Sequence, residues 1–309
     1  MPTPMHAMPK STSTSTQPML PMTLPRTLKS CAALPSPSSS TDPQIFIASY
    51  PKSGTTWLQA CLYELVTKGL KELDHISNYC PFLENDKTWL YEEEEGGGEL
   101  EGEGKINSKA RQSHQSIGAE LYNTHLWYES MPLSNPLAKY IYVHRPARDA
   151  CASFYHHLTH MTAVEGGVKE NVGKFVDDWC SGAVAFGGWA DHLNSWIGKE
   201  GKGKDERVLV VEYEEMKKDL PEVLRKIVAH CGLSVTDEEI ANLLPKLSLQ
   251  YMKANCSKYE PKSVEWIEKG DGFQFIRNGE GAKAKKGSLF SDADELKFCR
   301  YLSNNLVPI

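Results

Sequence analysis

Residues 45–69 restrict the fold more than any other part of the sequence. They begin with a short apolar run, residues 45–50, which ends at Pro51 and Gly54; this is the pattern of a buried strand that leads into a tight turn. After the turn, apolar residues recur every four positions, as in an amphipathic helix, and the pattern stops near Gly69. A buried strand that leads directly into a helix is the repeating unit of α/β proteins.

The same order of elements recurs further along the chain. Residues 139–143 and residues 207–211 are two more apolar runs of strand length, and a helical pattern that extends to about His160 follows the first of them. Residues 220–232 have a proline near the start and a glycine at the end of another helical pattern. Strands that alternate with helices predict an α/β fold: a single domain, residues 42–309, with a central mostly parallel sheet flanked by helices.

The turn after the first strand has the composition of an anion-binding site. Several unpaired backbone N–H groups meet where a strand, a glycine-containing turn and a helix N-terminus join, and the helix dipole favours a negative charge there. Lys52 adds a positive charge, three hydroxyls add further donors, and Trp57 offers a flat face for an adenine ring. The sequence therefore predicts a phosphate site formed by Lys52, Ser53, Gly54, Thr55, Thr56 and Trp57.

This turn differs from the phosphate loop of ordinary nucleotide hydrolases. In that loop a lysine directly follows the second of two glycines, whereas Lys52 precedes the single glycine, Gly54. A nucleotide kinase or hydrolase that depends on Mg²⁺ is therefore disfavoured. A plain strand-to-helix turn that is capped by a serine or threonine side chain remains the alternative.

A second anion site is predicted after residues 139–143. Arg145 follows the carboxyl end of this strand, which is where open α/β sheets bind their ligands. Its guanidinium group matches the geometry of a terminal phosphate, and Ser153 on the following helix adds a hydroxyl. A surface salt bridge is the other interpretation of Arg145.

Residues 50–57, Tyr-Pro-Lys-Ser-Gly-Thr-Thr-Trp, resemble the 5′-phosphosulfate loop of the cytosolic sulfotransferases. The resemblance covers roughly residues 42–300, and some segments are similar to the plant branch of the family. It implies that 3′-phosphoadenosine 5′-phosphosulfate (PAPS) is the co-substrate and that a sulfuryl group moves to a hydroxyl of a small, largely apolar metabolite. A sulfuryl group carries less negative charge than a phosphoryl group, so no metal is expected, and the chain shows no metal-ligand spacing.

The same resemblance implies a catalytic base. Residues 123–126, Asn-Thr-His-Leu, are similar to the segment that carries the general base of the family, which makes His125 the expected base, although Trp127 replaces the usual proline. Histidine suits this role, because it can take the proton that an acceptor hydroxyl loses near neutral pH. Lys52 is expected to stabilise the charge that develops on the leaving phosphosulfate.

Further matches concern the nucleotide. Tyr213 matches a residue that contacts the nucleotide, and Leu249 stands where the family has a phenylalanine that stacks on adenine. Arg277, Asn278 and Gly279 match the Arg-Lys-Gly that closes over the 3′-phosphate, but Asn278 replaces the lysine and the motif that follows is altered. These departures leave open a second interpretation, a non-catalytic relative that binds 3′-phosphoadenosine 5′-phosphate (PAP) or regulates another protein.

The charge distribution argues against a nucleic-acid partner. The chain has 34 Lys and Arg against 40 Asp and Glu, and residues 88–104 alone hold seven of the acids and no base. The rest is nearly neutral and lacks the basic excess of a nucleic-acid binder. The acidic segment is interpreted as a solvated Glu/Gly loop that is either an insertion or a gate near the acceptor. No apolar run approaches 18 residues, so a membrane span is not expected.

The N-terminal segment, residues 1–41, is rich in serine, threonine and proline and contains no acid. This composition predicts a disordered tail, with an organelle transit peptide as the alternative. Eight scattered cysteines without a Cys-x-x-Cys pair are typical of reduced thiols in an intracellular protein, so a cytoplasmic location is expected, or a plastid if the tail is a transit peptide. Asp292 replaces an apolar residue where relatives carry their dimer motif, which predicts a monomer or a weak homodimer.

Overall fold

The computed structural model describes residues 42–84, 108–162, 167, 169–198, 201, 203–261, 264, 266–267, 275–277 and 289–306. The Ser/Thr/Pro-rich tail and the acidic segment predicted above lie outside these residues, as do Asn278 and Gly279. Among the described residues, no helix combines the length and the apolar character that are needed to cross a membrane.

Four parallel strands form the sheet that carries the fold. They are β1 (Gln44–Ala48), β2 (Glu120–Thr124), β3 (Lys139–His144) and β4 (Val208–Glu212), and their order across the sheet is β2-β1-β3-β4. All three pairings are parallel. The structure thus confirms the predicted α/β fold with a central parallel sheet flanked by helices.

Helices occupy most of the described remainder. The α-helices in chain order are α1 (Thr55–Thr67), α2 (Ile76–Tyr79), α3 (Ser108–Ile117), α4 (Ala147–Leu158), α5 (Val172–Ser181), α6 (Trp189–Trp196), α7 (Tyr213–Lys218), α8 (Leu220–Cys231), α9 (Asp237–Leu247), α10 (Leu249–Ala254) and α11 (Asp292–Asn305). Two short 3₁₀ helices lie at Tyr128–Ser130 and Cys256–Lys258. The helix predicted at residues 220–232 is α8, and Gly232 ends it in a left-handed conformation.

The strand β2 was not among the sequence predictions, because its residues Glu-Leu-Tyr-Asn-Thr do not form an apolar run. Its polar side chains are nevertheless buried, and partners from distant segments satisfy them. Glu120 accepts a hydrogen bond from the Gln44 side chain at 3.0 Å, and the Asn123 side chain donates to the Cys80 carbonyl at 2.6 Å. A polar strand becomes stable in the interior only when such partners exist.

The sheet separates two hydrophobic cores. Alternate side chains of a strand point to opposite faces, so Phe46 packs into one core and Ile45 and Ile47 into the other. The first core is rich in aromatic residues and includes Trp179 and Trp196 from the helices that follow β3. The second core is mostly aliphatic, although it includes Tyr63 and Tyr259, and it is covered mainly by α1, α8 and α9. Both faces of the parallel sheet are therefore covered, as such a sheet requires. Lys52, His125 and Arg145, which the sequence predicts as site residues, follow the carboxyl ends of β1, β2 and β3.

Candidate active site

The turn between β1 and α1 presents a helix N-terminus without a side-chain cap. Gly54 is the N-cap residue, with a φ of 112°, and no side chain of the described residues caps the first turn of the helix. The backbone N–H groups of that turn are left for a ligand. The structure therefore argues against the alternative of a plain capped turn. Lys52 also adopts a positive φ, 66°, which is uncommon for a residue with a side chain.

Tyr213 packs directly on this turn from the start of α7. A Cβ atom at residue 54 would lie 2.6 Å from the Tyr213 Cδ2 atom, so only glycine allows this approach. The Trp57 ring meets the Tyr213 ring edge-on at 5.8 Å between centroids, and its indole N–H donates to the Leu247 carbonyl at 2.9 Å. The two rings form one aromatic wall beside the turn.

Three cationic side chains converge on the turn. The Arg145 guanidinium lies 4.7 Å from the Tyr213 ring centroid, and its Nη1 group donates to the Lys52 carbonyl at 3.4 Å. Burial is the main cause that lowers the pKa of Lys52, and together with the positive charges of Arg277 and Arg145 it brings this pKa to about 7. Desolvation by neighbouring residues and the charge of Arg145 also lower the pKa of Arg277, although this residue is exposed to solvent.

The environment of these cations fits a bound polyanion. None of Lys52, Arg145 and Arg277 forms an ion pair within the part of the chain that the structure describes. Arg145 is only 8% exposed, yet its Nε atom has no hydrogen-bond partner there, and the buried Ser53 hydroxyl has none either. Buried donors without acceptors and like charges without counter-charges are costly, so an anion bound here would provide both hydrogen-bond acceptors and negative charge.

His125 follows β2, and among the described residues every polar group of His125 except Nε2 has a hydrogen-bond partner. Its backbone N–H donates to a Glu84 carboxylate oxygen at 2.6 Å, and its carbonyl accepts from His192 Nε2 at 2.9 Å. Its Nδ1 atom lies 2.7 Å from the Ser49 carbonyl oxygen, which can only accept, so Nδ1 carries the proton and Nε2 carries the lone pair. Burial lowers the pKa of His125 to about 4, and the charge of Lys52 acts in the same direction.

A hydrogen-bonded link joins His125 to the turn. The Ser49 hydroxyl lies 2.6 Å from the Thr55 hydroxyl and 3.3 Å from His125 Nδ1. The rings of Phe82 and Phe186 meet the imidazole edge-on, with centroids 5.4 Å and 5.1 Å away. A neutral imidazole with an open lone pair thus lies next to the cationic turn, inside an aromatic frame.

A second buried histidine supports the first. The His192 Nε2–H group donates to the His125 carbonyl, so its Nδ1 atom is the acceptor for the Tyr142 hydroxyl at 3.0 Å. His192 is fully buried, and burial lowers its pKa to about 3. The side chain therefore stays neutral and holds the backbone of His125 in place.

Comparison with known proteins identifies the family. The family model described as "Sulfotransferase domain" matches residues 42–298. The chain belongs to the sulfotransferase family. Sulfotransferase 1E1 of Mus musculus is 30% identical to it over 240 residues, which are 76% of this chain and 74% of that protein. Cytosolic sulfotransferase 13 of Arabidopsis thaliana is 29% identical over 264 residues, with 82% and 72% covered.

Solved structures of sulfotransferases share the fold. The crystal structure of mouse sulfotransferase SULT7A1, complexed with PAP, has a TM-score of 0.60 and 25% identity, and the match covers 90% of this chain and 87% of that one. Retinol dehydratase in a complex with retinol and PAP has a TM-score of 0.62 at 20% identity, with 90% and 85% covered, and is similar in fold.

This sulfotransferase brings together most of the site residues predicted from sequence. The predicted residues that share direct contacts or charge interactions in the structure are Lys52, Gly54, Thr55, Trp57, His125, Arg145, Tyr213 and Arg277. Thr56 and Ser153 make no side-chain hydrogen bond with the described residues. A cluster of three or more potential metal ligands is absent from the described part of the chain.

Three residues of the site had no functional assignment from the sequence. Ser49 directly follows β1 and gives no sequence signal, because its role depends on its carbonyl oxygen and on His125, which lies 76 positions away. Glu84 gives no sequence signal either, because its role is to accept a hydrogen bond from the backbone N–H of His125, which is distant in the chain. His192 lies in a Gly-Trp-x-x-His pattern that resembles the family, but by pattern alone it is indistinguishable from core packing.

Proposed function

We propose that this sulfotransferase transfers a sulfuryl group from PAPS to a hydroxyl of a small, largely apolar metabolite. The observation that carries the proposal is the link through Ser49, which joins a neutral His125 with an open Nε2 to an uncapped cationic helix N-terminus. The PAP bound to the mouse sulfotransferase named above supports the choice of donor, because PAP is what PAPS becomes after it loses the sulfuryl group.

In the proposed complex, the turn holds the 5′-phosphosulfate of PAPS. Lys52, the hydroxyls of Ser53, Thr55 and Thr56, and the backbone N–H groups at the start of α1 are the donors. Trp57 and Tyr213 flank the adenine. Arg145, Ser153 and the segment Arg277, Asn278 and Gly279 hold the 3′-phosphate. The unpartnered Ser53 hydroxyl and Arg145 Nε atom support this arrangement, because an anion would supply the missing acceptors.

The proposed reaction is an in-line displacement at sulfur. His125 Nε2 takes the proton from the acceptor hydroxyl, the acceptor oxygen forms a bond to sulfur, and the bond between sulfur and the bridging phosphate oxygen breaks. PAP leaves with the electron pair, and Lys52 stabilises the negative charge that develops on the bridging oxygen. Because the donor is anionic, its binding raises the low pKa of His125 and strengthens this base.

The test compares His125→Ala with a control on another histidine. We expect turnover to fall by roughly 10²- to 10⁴-fold in this variant, while PAP still binds. Transfer is measured from radiolabelled PAPS to a panel of hydroxylated metabolites, and PAP binding by calorimetry. His230→Ala is the control, because His230 lies on α8 and contacts the Arg207 carbonyl at the amino end of β4, away from the site. Normal turnover in the His125 variant would remove this residue from the mechanism.

A non-catalytic PAP-binding relative is the second candidate. It is favoured by Leu249, which stands where an aromatic residue is expected for adenine and which is 43% exposed. Intact PAP binding by the native protein without transfer to any acceptor of the panel would favour this candidate over the enzyme.

We further propose that the protein works in plant metabolism, in the cytoplasm, as a monomer or a weak homodimer. The Arabidopsis relative supports the first part. For the last part, Asp292 lies exposed in the first turn of α11, where a charged side chain weakens an apolar contact between copies. Ultracentrifugation over a range of concentrations tests the oligomeric state, and a dimer that persists at nanomolar concentration would contradict it. Imaging of the fluorescently tagged full chain in plant cells tests the location, and a plastid signal would contradict it.

A further inference from the structure

The charged end of the Lys52 side chain contacts residues from two distant segments of the chain. Its Nζ atom lies 3.2 Å from His157 Nδ1 on α4, and 4.6 Å from the centroid of the Phe275 ring. His157 and Phe275 come from segments 105 and 223 residues further along the chain.

The chemistry of the pair fixes the state of His157. When Lys52 is protonated, its ammonium group can only donate, so Nδ1 of His157 then accepts and the ring proton is on Nε2. Burial keeps the pKa of His157 well below its ordinary range, and the charges of Lys52, His125, Arg277 and His160 act in the same direction. The imidazole is therefore neutral, and its Nδ1 lone pair stays available to Lys52.

The imidazole is also fixed in orientation. The Trp266 ring meets it edge-on at 5.1 Å between centroids, and the Phe275 ring lies 6.4 Å away at an interplanar angle of 58°. The same Phe275 ring lies under the Lys52 ammonium, where the face of an aromatic ring attracts a cation. A long, flexible lysine side chain thus has two fixed contacts at its charged end.

We propose that His157 is a positioning residue that holds the Lys52 ammonium at the place where the bridging oxygen of the donor will lie. The inference rests on the proposed function for the identity of that oxygen. Lysine has three N–H groups, so the bond to His157 leaves others for the donor. Rigid placement of a catalytic charge matters, because it stabilises the transition state without reorganisation during the reaction.

The test uses two substitutions of equal shape. Asparagine places its Oδ1 atom close to the position of histidine Nδ1, whereas leucine has the same shape without an acceptor. We expect His157→Leu to lower kcat by about 10- to 100-fold, the loss expected for a hydrogen bond to a charged group, with little change in the KM for the acceptor. We expect His157→Asn to retain kcat within about threefold of the native value. Equal kcat values for the two variants would overturn the proposal.

Two further measurements separate this inference from the proposed function. In the Lys52→Met background, His157→Leu should cause no further loss of kcat, because the residue acts through Lys52. The Lys52 titration, followed by NMR of the ¹³Cε-labelled side chain in the ligand-free protein, needs no activity. It should shift to lower pH in His157→Leu and stay near the native midpoint in His157→Asn, since the lost bond favoured the charged form. Identical midpoints would overturn the inference even in a protein without transferase activity.

A third variant covers the case in which His157→Leu does not fold. Glutamine places its polar atoms near Nε2 and not near Nδ1, so His157→Gln remains polar and loses the acceptor for Lys52. This variant should behave as described for leucine in both kcat and the Lys52 titration. Native values for both would contradict a role for Nδ1.

Discussion

The binding of PAP is predicted to protonate Lys52. In the ligand-free protein, burial and the charges of Arg277 and Arg145 lower the pKa of Lys52 to about 7. The phosphate groups of PAP would bring negative charge next to this ammonium and neutralise the repulsion, so its pKa should return toward the ordinary lysine value of about 10.4. A group whose pKa rises on binding takes up a proton whenever the pH lies between the two values.

The magnitude follows from the two pKa values. At pH 8, a side chain with a pKa of about 7 is protonated in about one tenth of the molecules, and the bound form is almost fully protonated, so binding should take up about 0.9 proton. At pH 8 the other titrating groups contribute little, because the phosphates of PAP are already ionised and the pKa of His125, about 4 in the ligand-free protein, starts far below pH 8 even if binding raises it. Above pH 7 the affinity for PAP should fall by about tenfold for each pH unit, until the pKa of the bound form is reached.

Calorimetry measures this uptake directly. PAP is titrated into the protein at pH 8 in buffers that differ in ionisation enthalpy, and the slope of the binding enthalpy against the buffer enthalpy gives the number of protons. Lys52→Met should abolish the uptake, and Lys52→Arg should abolish it while keeping the charge, because arginine is already protonated at pH 8. Binding of PAP by the native protein without proton uptake would refute the reasoning about Lys52.

Three further predictions concern residues around the turn. Gly54→Ala should lower the free energy of unfolding by about 1–3 kcal/mol in urea titrations and weaken PAP binding, because residue 54 has a φ of 112° and its new Cβ atom would displace Tyr213; an unchanged unfolding midpoint would contradict this. Arg145→Leu should weaken PAP binding by about 30-fold or more, and an unchanged Kd would remove Arg145 from the phosphate site. His192→Leu should lower kcat, and it should lower the free energy of unfolding by about 1–3 kcal/mol for each partner left unpaired. His192→Gln retains a donor near Nε2 and should therefore keep more of the kcat. Equal kcat values for the two variants would contradict the role of His192 in supporting His125.

The first strand, the turn and α1 could be predicted because their signals are local. An apolar run, a proline, a glycine and a helical period all lie within 25 residues, and each has the same meaning in almost any context. The strand β2 could not be predicted in this way. Glu120 and Asn123 are buried only because Gln44 and the Cys80 carbonyl meet them from elsewhere in the chain, and no local pattern reports such partners.

The residues of the site also divide into those with a local sequence signal and those whose role depends on distant partners. The turn and Arg145 could be predicted from the sequence, because each directly follows an apolar strand. Residues that follow the strands of a parallel sheet lie at its carboxyl edge, where ligands bind. The absence of a side-chain cap on α1 could not be read from the sequence, because the hydroxyls of residues 53, 55 and 56 could either cap the helix or bind an anion. The structure assigns the Thr55 hydroxyl to Ser49 and leaves the Ser53 hydroxyl without a partner in the described residues.

The sequence by itself determined the fold class, the glycine-containing turn between β1 and α1, and the family of this protein, because these depend on residue types and on short spacings. The tertiary structure decided the properties of the charged and titrating groups. The order β2-β1-β3-β4 places the carboxyl ends of β1, β2 and β3 side by side, so Lys52, His125 and Arg145 share one small, partly buried region. The low pKa of Lys52, the neutral state of His125 and the contact between Lys52 and His157 all arise from burial and from distances between segments that are remote in the chain.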